Sequence, residues 1–233
     1  MTNATEADKK RAIRSYVLRQ GRITAGQERA FADHWPRYGL EVDDALRLDA
    51  PALFNDARDL ILEIGFGNGD SLVQMAAAAP EAGYIGIEVH RPGVGHAMLA
   101  AAAANLDNLR LIRHDAVAIL RDHVADGTLA RVQIYFPDPW PKARHHKRRI
   151  VQQPFTDLIW RKLRAGGEIH CATDWAAYAE WMRDVFAGDP KWHNLGNADG
   201  YAPRPEWRPQ TKFERRGERL GHGVWDLRYR KNG

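Results

Sequence analysis

Five short apolar runs, "LILEIG", "YIGIEV", "LRLIRHD", "ARVQIYF" and "EIHCATD", alternate with segments of helical composition between Leu60 and Gly188. That alternation leaves a chain little freedom. Parallel neighbours in a sheet need long crossovers, helices supply them, and strands covered on both faces read as continuous apolar runs. The expectation is an α/β fold, a mostly parallel sheet with helices on both faces. The runs also share an ending. Glu63 precedes the glycines of "EIGFGNGD", while Glu88, Asp115, Asp138 and Asp174 stand at or just beyond the ends of the other four. In open parallel sheets ligands bind outside the carboxyl ends of the strands, so these acids fall where chemistry is expected. Asp is also a favoured helix N-cap, and that role can account for one or two of them.

The intervening helices are "DSLVQMAAAA", stopping at Pro80, "RPGVGHAMLAAAAANL" with Pro92 in its first turn, and "AVAILRDHV". "VQQPFTDLIWRKLRAGG" reads as a helix ended by Gly166-Gly167, and "WAAYAEWMRDVFAG" as an amphipathic helix with Trp175, Tyr178 and Trp181 mostly in the core. "WHNLG" and "VWDLRYRK" near the end are strand-like. Residues 1–55 are polar and helical in composition with no clear core pattern. They read as an N-terminal arm on a main domain of residues 56–233.

With 233 residues, 44% of them hydrophobic, the chain can bury a core without covalent staples. Cys171 is its only cysteine, so an internal disulfide is impossible and a reducing compartment is expected. The start, "MTNATEADKKRAIRSYVLRQ", has no apolar core of signal-peptide length, and no apolar run approaches the roughly 18 residues of a membrane helix. The expected location is cytoplasmic, away from membranes. Net charge is only +4, but the cations cluster. Lys9, Lys10, Arg11, Arg14, Arg19 and Arg22 form one group. Lys142, Arg144, Lys147, Arg148 and Arg149 form a second, and Arg204, Arg208, Lys212, Arg215, Arg216 and Arg219 a third. Such clusters point to a polyanionic partner.

The glycine turn sharpens the reading. A dinucleotide site wants G-x-G-x-x-G with pyrophosphate on the following helix. Here Gly65, Gly67 and Gly69 are spaced G-x-G-x-G, and Asp70 stands where the third dinucleotide glycine belongs. An acid facing pyrophosphate is unfavourable, which disfavours a nicotinamide-dependent oxidoreductase. S-adenosylmethionine carries a sulfonium and an amino group and no phosphate, so acids near the turn favour it. Glu63 or nearby backbone can orient its amino-acid end, Glu88 can accept the ribose hydroxyls, and Asp115 the adenine amino hydrogen.

The fourth run delivers "YFPDPWPKARHHKRR", in which Pro137 and Pro139 clamp the single carboxylate of Asp138. Prolines on both sides stiffen the corner. Trp140 offers a face for a stacked base, and the cations beside it suit nucleic-acid phosphates. Guanine fits: its N7 has a free lone pair, while its N1–H and 2-amino donors match a carboxylate. A rigid acid beside the donor stabilises the positive charge that the base gains. Removing charge at Arg148 and Arg149 is expected to weaken RNA binding. A non-catalytic RNA-binding protein remains the competing class.

These stretches, with "RSYVLRQGRIT", "GIEVHRPGVG", "HCATDW" and "TKFERRGERLGHGVWDL", closely resemble the bacterial tRNA (guanine-N(7)-)-methyltransferase family over nearly the whole chain. The resemblance implies a class I, Rossmann-like, S-adenosylmethionine-dependent methyltransferase with a seven-stranded sheet whose last strand is antiparallel. It implies cofactor contacts at Glu63, Glu88 and Asp115, and Asp138 as the catalytic-site acid near the cofactor. It implies tRNA contacts at Lys142, Asp174, the segment Arg144, His145, His146, Lys147, Arg148 and Arg149, and the segment Thr211, Lys212, Phe213 and Glu214. The target implied is a variable-loop guanosine of tRNA, with no obligate protein partner and a monomer or homodimer. The remaining reactive groups read as structural. Cys171 is a buried thiol, His170 a satisfied interior histidine, and adjacent His145 and His146 do not have metal-ligand spacing, so no metal is expected.

Overall fold

The computed structural model describes residues 14–16, 21–211, 214–215 and 223–233. Lys212 and Phe213 lie outside the described residues, as do Lys9, Lys10, Arg11, Arg19, Arg216 and Arg219. Seven strands form one sheet: β1 Leu60–Ile64, β2 Gly83–Ile87, β3 Leu109–Ile112, β4 Leu129–Tyr135, β5 Leu163–Thr173, β6 Trp192–Asn194 and β7 Trp225–Lys231. Their order is β3-β2-β1-β4-β5-β7-β6. The first five are parallel, β7 runs antiparallel beside β5, and β6 pairs antiparallel with β7. The order reverses between β1 and β4, where an open parallel sheet forms its ligand crevice.

Each face has its own core. Leu62, Ile64, Val132, Ile134, Ile169 and Cys171 pack against α6 (Ala116–His123), α7 (Gln153–Lys162) and α8 (Ala176–Phe186). Ile61, Tyr84 and Tyr135 lie on the opposite face against α4 (Asp70–Ala78) and α5 (Arg91–Ala103). All five residues of β1 are buried, as expected of a strand covered on both sides.

Two stretches differ from the sequence reading. The helix expected to reach Gly166-Gly167 ends at Lys162, and β5 starts at once with Leu163. Lys162 Nζ donates to Asp126 at 2.8 Å, and Leu163 is fully buried, so the chain is pulled into the sheet early. The register then jumps from Leu129↔Leu163 to Arg131↔Glu168, and the residues between bulge out around Gly166 at φ +70°.

Residues 24–55, read as lacking a core pattern, do bury apolar side chains. They form α1 (Ala25–Asp33), which packs on α5, α2 (Trp35–Tyr38), which lies against β3, and α3 (Ala50–Phe54). The anchors are single residues such as Tyr38 and Leu48 together with backbone pairing: Leu40 N donates to Leu111 O at 2.9 Å, and Leu48 N to His123 O at 3.0 Å. An interface of isolated anchors leaves no periodicity to read. Thr24 starts α1 with a capping box shared with Gln27.

Buried Asn108 ties three elements together at the entry to β3. Its Nδ2 donates to the carbonyls of Ala76, Ala79 and Ala82 at 2.9, 3.1 and 3.0 Å. Replacing Asn108 with Ala strands these acceptors. It should cost about 2–3 kcal/mol, seen as a lower urea midpoint at unchanged m value.

Candidate active site

The turn after β1 is built on left-handed backbone, with φ of +74°, +60° and +80° at Gly65, Gly67 and Gly69. The first two glycines have open space where a side chain would begin, so their backbone is free for close approach by a ligand. The third does another job: a Cβ on Gly69 would lie 2.6 Å from that of Ala97, so it lets α4 pack on α5. Glu88 braces the turn. Its Oε2 accepts from Gly67 N at 2.9 Å, and its Oε1 from Val89 N at 2.7 Å and His90 N at 2.9 Å. No local pattern announces this duty, which leaves the carboxylate about one further acceptor direction for a ligand.

Glu63 sits two residues before the turn and is only 2% exposed. Burial, and then the charge of Glu88, push its carboxyl up to about 8, so without a cationic ligand it is mainly neutral at pH 7. Its Oε2 has no hydrogen-bond partner. Gln133 stands directly beside it in the sheet register, and both atoms of that fully buried amide are also unpartnered. Buried polar atoms without partners are rare, and such a group in a ligand crevice marks where a polar ligand or ordered water completes the bonding.

Asp115 is an N-cap as well as a strand-end acid. Its Oδ1 accepts from Val117 N at 2.9 Å and Ala118 N at 3.1 Å. The Tyr16 hydroxyl also bonds to Asp115, and burial followed by that carboxylate raises the Tyr16 pKa. The preceding Ser15 carbonyl accepts from Trp140 Nε1 at 3.3 Å. Residues 15 and 16 thus bridge the end of β3 and the Pro-Asp-Pro corner, a juxtaposition across some hundred residues that no local pattern announces. Asp174 is not a cap, because α8 has Trp175 in that place with no side-chain cap. Trp175 itself, read as core, is 43% exposed; the buried face of α8 starts only at Tyr178. It adds an exposed indole to the carboxyl edge.

The corner after β4 is stiffer than its prolines alone make it. Phe136 and Trp140, on either side of Pro137–Pro139, adopt φ of +51° and +46°. A non-glycine residue in that region costs about 1–3 kcal/mol and persists only where surroundings enforce it. Phe136 N donates to Ala172 O at 2.8 Å. Arg149 Nε donates to Pro139 O at 2.9 Å, and its guanidinium lies 4.9 Å from the rings of both Tyr178 and Trp181. Asp138, at the apex, is exposed.

The basic run divides accordingly. A 3-10 helix, Ala143–Arg148, follows Lys142. Lys142, Arg144 and Lys147 are exposed, His145 and His146 half-buried, and Arg148 lies 4.9 Å from the Trp140 ring. Arg149 departs from the expectation. At 3% exposed it is placed to hold the corner from inside, not to meet a phosphate from solvent.

Thr211 and Glu214 are linked to the same edge through Arg208 and Asp226 of β7. Glu214 is 4% exposed and pairs with Arg208, whose Nη1 and Nη2 donate to its oxygens at 2.8 and 3.0 Å. Arg208 Nε and Nη2 donate to Asp226 at 2.8 and 2.9 Å. Asp226 in turn lies 2.6 Å from His170 Nε2, and His170 Nδ1 lies 3.0 Å from the Tyr135 hydroxyl. His170 is therefore satisfied on both nitrogens, as expected, and burial lowers its pKa. Burial pushes the Cys171 thiol up to about 12, in keeping with a structural role. Among the described residues no group of three His, Cys, Asp or Glu is placed to hold a metal, and no helix is long and apolar enough to cross a membrane.

Comparison with known proteins gives a consistent result. Residues 57–227 match a family described as "Putative methyltransferase". The chain is 53% identical over 220 residues to the tRNA (guanine-N(7)-)-methyltransferase of Halorhodospira halophila, covering 94% of this chain and 95% of that one. It is 52% identical over 221 residues to the protein of that name from Colwellia psychrerythraea, covering 95% and 90%. Among solved structures it is similar to the 16S rRNA methyltransferase KamB, with a TM-score of 0.55 at 14% identity over 83% of this chain and 96% of that one. It is also similar to the antibiotic-resistance methyltransferase Kmr, with a TM-score of 0.51 at 16% identity over 83% and 95%. These structural likenesses establish the fold, that of class I methyltransferases with a seven-stranded, mostly parallel sheet.

Between pH 4.5 and about 8 the ligand-free folded state keeps a proton on Glu63 that the unfolded chain has lost. Its contribution to stability is complete below that window and is lost as pH rises through it. Urea unfolding across the window should show wild type losing stability relative to Glu63→Gln. Arg149→Met should impair function through the corner while leaving the salt dependence of polyanion binding unchanged. Arg144→Ala with Lys147→Ala should flatten the log K against log salt slope by roughly 1.4–1.8.

Proposed function

From the premise that the chain belongs to the tRNA (guanine-N(7)-)-methyltransferase family, we propose that it transfers a methyl group from S-adenosylmethionine to N7 of a variable-loop guanosine in tRNA. The observation that carries the reading is the meeting, at one sheet edge, of an open glycine cradle with an orphaned buried carboxyl and a strained corner that presents Asp138 beside exposed cations.

The residues fit the cofactor. Gly65 and Gly67 leave room for it, and Glu63 has an oxygen without a partner at the base of the turn. Asp70 in the first turn of α4 suits a cation and opposes a pyrophosphate. Glu88 would accept a ribose hydroxyl with its remaining lone pair and Asp115 an adenine amino hydrogen; Tyr16 then shares Asp115 with the ligand. When bound, the cofactor supplies a sulfonium-activated methyl.

The chain's own work is alignment and charge. Guanine N7 needs no base to remove a proton, so Asp138 is not asked to take one. Its carboxylate is suited to hold the N1–H and 2-amino edge and to stabilise the positive charge that builds on the base. Arg148 lies over the Trp140 ring and His145 packs edge-on against it, so exposed Trp175 offers the freer indole face for an unstacked base. Lys142, Arg144 and Lys147 take phosphates. The reading carries with it a cytoplasmic enzyme, monomer or homodimer, with no obligate protein partner.

Incubation with labelled S-adenosylmethionine and unmodified tRNA, followed by nucleoside analysis, should give 7-methylguanosine. Label in any other nucleoside, or none, refutes the assignment. Asp138→Ala and Asp138→Asn should lower kcat by about 10²–10³ with tRNA affinity within about two-fold, since phosphate contacts dominate binding. Unchanged turnover removes Asp138 from the mechanism.

A further inference from the structure

Among the described residues Arg208 is one of the largest side chains with no exposed surface, although it belongs to a cluster whose charge suits phosphate binding. Among the described residues its four side-chain bonds all go to carboxylates, two to Glu214 and two to Asp226. The two carboxylates belong to different parts of the molecule. Asp226 stands in β7, opposite Ala172 of β5. Ala172 is the residue whose carbonyl receives Phe136 N and so fixes the start of the Pro-Asp-Pro corner. The Arg208 guanidinium also lies 5.7 and 6.0 Å from the rings of Tyr135 and Phe136. Glu214 closes the segment containing Thr211: Thr211 N donates to Glu214 Oε2 at 3.2 Å, and Glu214 N donates to Thr211 Oγ1 at 3.1 Å.

We propose that Arg208 is a positioning residue that fixes the Thr211 segment relative to the Asp138 corner, and that Glu214 acts through Arg208 without touching the RNA. The proposal rests on the methyl-transfer reading above. Glu214 has both oxygens engaged and almost no surface, so a direct substrate bond would require breaking its pair with Arg208. That is costly, because it leaves a buried guanidinium half-compensated. An apolar filling of the same volume would be no less stable; what the ion triad adds is directional. A planar guanidinium bidentate to two carboxylates sets distance and orientation at once. Through it Glu214 is tied to β7 opposite Ala172, the β5 residue whose carbonyl also bonds the corner, and Thr211 is left half-buried. Misplacement by about 1 Å is enough to cost a reaction of this kind about 100-fold.

The test is a double-mutant cycle with Arg208→Lys and Glu214→Gln, read as kcat and KM for tRNA, calorimetric affinity for S-adenosylmethionine, and amide exchange at Thr211 and Glu214. Each single variant should lower kcat/KM for tRNA about 10- to 100-fold, with cofactor affinity within about two-fold and faster exchange at both amides. The double variant should be no worse than the more damaged single one, because the two residues form one unit. Effects that multiply would mean that Glu214 contributes independently of Arg208, and would overturn the proposal. So would full activity in Arg208→Lys. If Arg208→Lys does not fold, Glu214→Gln, which keeps side-chain size and the Asp226 pair, decides alone. Lost activity with faster exchange supports the proposal, and lost activity with unchanged exchange overturns it. A wild-type protein that failed to methylate tRNA would sink the functional reading, while the exchange measurement would still judge the mooring.

Discussion

Polar side chains buried on one face of a sheet impose the constraint from which the rest of this structure follows. In β4 and β5 alternate residues point to opposite faces, so the positions that share a face with Tyr135 and Ala172 are Arg131, Gln133 and His170. Glu63 joins them from β1, in register with Gln133. On the opposite face the same strands carry Val132, Ile134, Ile169 and Cys171 in an ordinary apolar core. A polar strip of this kind is tolerable only if each group finds a partner. Towards β7 it does: Asp226 and the segment around Arg208 satisfy His170 and Tyr135. Towards β1 it does not, and Glu63 Oε2 and both amide atoms of Gln133 are left open. The satisfied half fixes the scaffold. The unsatisfied half lies at the strand switch, under the glycine turn, where the chemistry of the fold is done.

The two turns that face each other over this switch reach left-handed backbone by different means. After β1 the chain uses glycine, which adopts positive φ without a steric penalty, and the result is a surface that a ligand can approach. After β4 it uses Phe136 and Trp140, whose side chains are wanted for packing and for a stacking face, and the cost is met by contacts around them. Arg149 supplies one from inside through Pro139 O, and β5 supplies another through Ala172 O. Asp138 is thus held from behind by a buried cation and by the sheet. The prolines restrict the corner, but its orientation is also set by β5 and by Arg149, a residue that sequence inspection assigns to RNA.

Much of this was legible. The five strand-helix alternations, the acids at strand ends and the role of His170 follow from apolar run length, glycine spacing and the absence of helpers. What was not legible is on which side of the backbone a charge ends up. Arg149 and Arg208 sit in basic clusters and differ from their neighbours in no local way. They are internal because Tyr178, Trp181, Asp226 and Glu214 are brought to them by the fold. Glu88 reads as a ligand-binding acid, and the backbone amides that it also serves carry no sequence signal at all. The N-terminal helices bury isolated anchors such as Tyr38 with no repeat for a periodicity argument to find.

The protein also separates its carboxyls by solvent access, and this bears on how an exposed acid can do catalytic work. Glu63 is sealed in and kept neutral until a cation arrives to favour its charge. Asp138 is open to water, where a carboxylate's attraction for a developing positive charge is weak because solvent screens it. For Asp138 to matter, water must leave the corner when the base enters. The side chains around it are suited to that: Trp140 and Trp175 offer flat apolar surfaces, and the exposed cations beyond them would bring in the polyanion that carries the base. The RNA would then complete the site it reacts in. On that reading docking would desolvate Asp138 as the guanine is aligned, and the electrostatic gain would be reserved for a bound, correctly seated base.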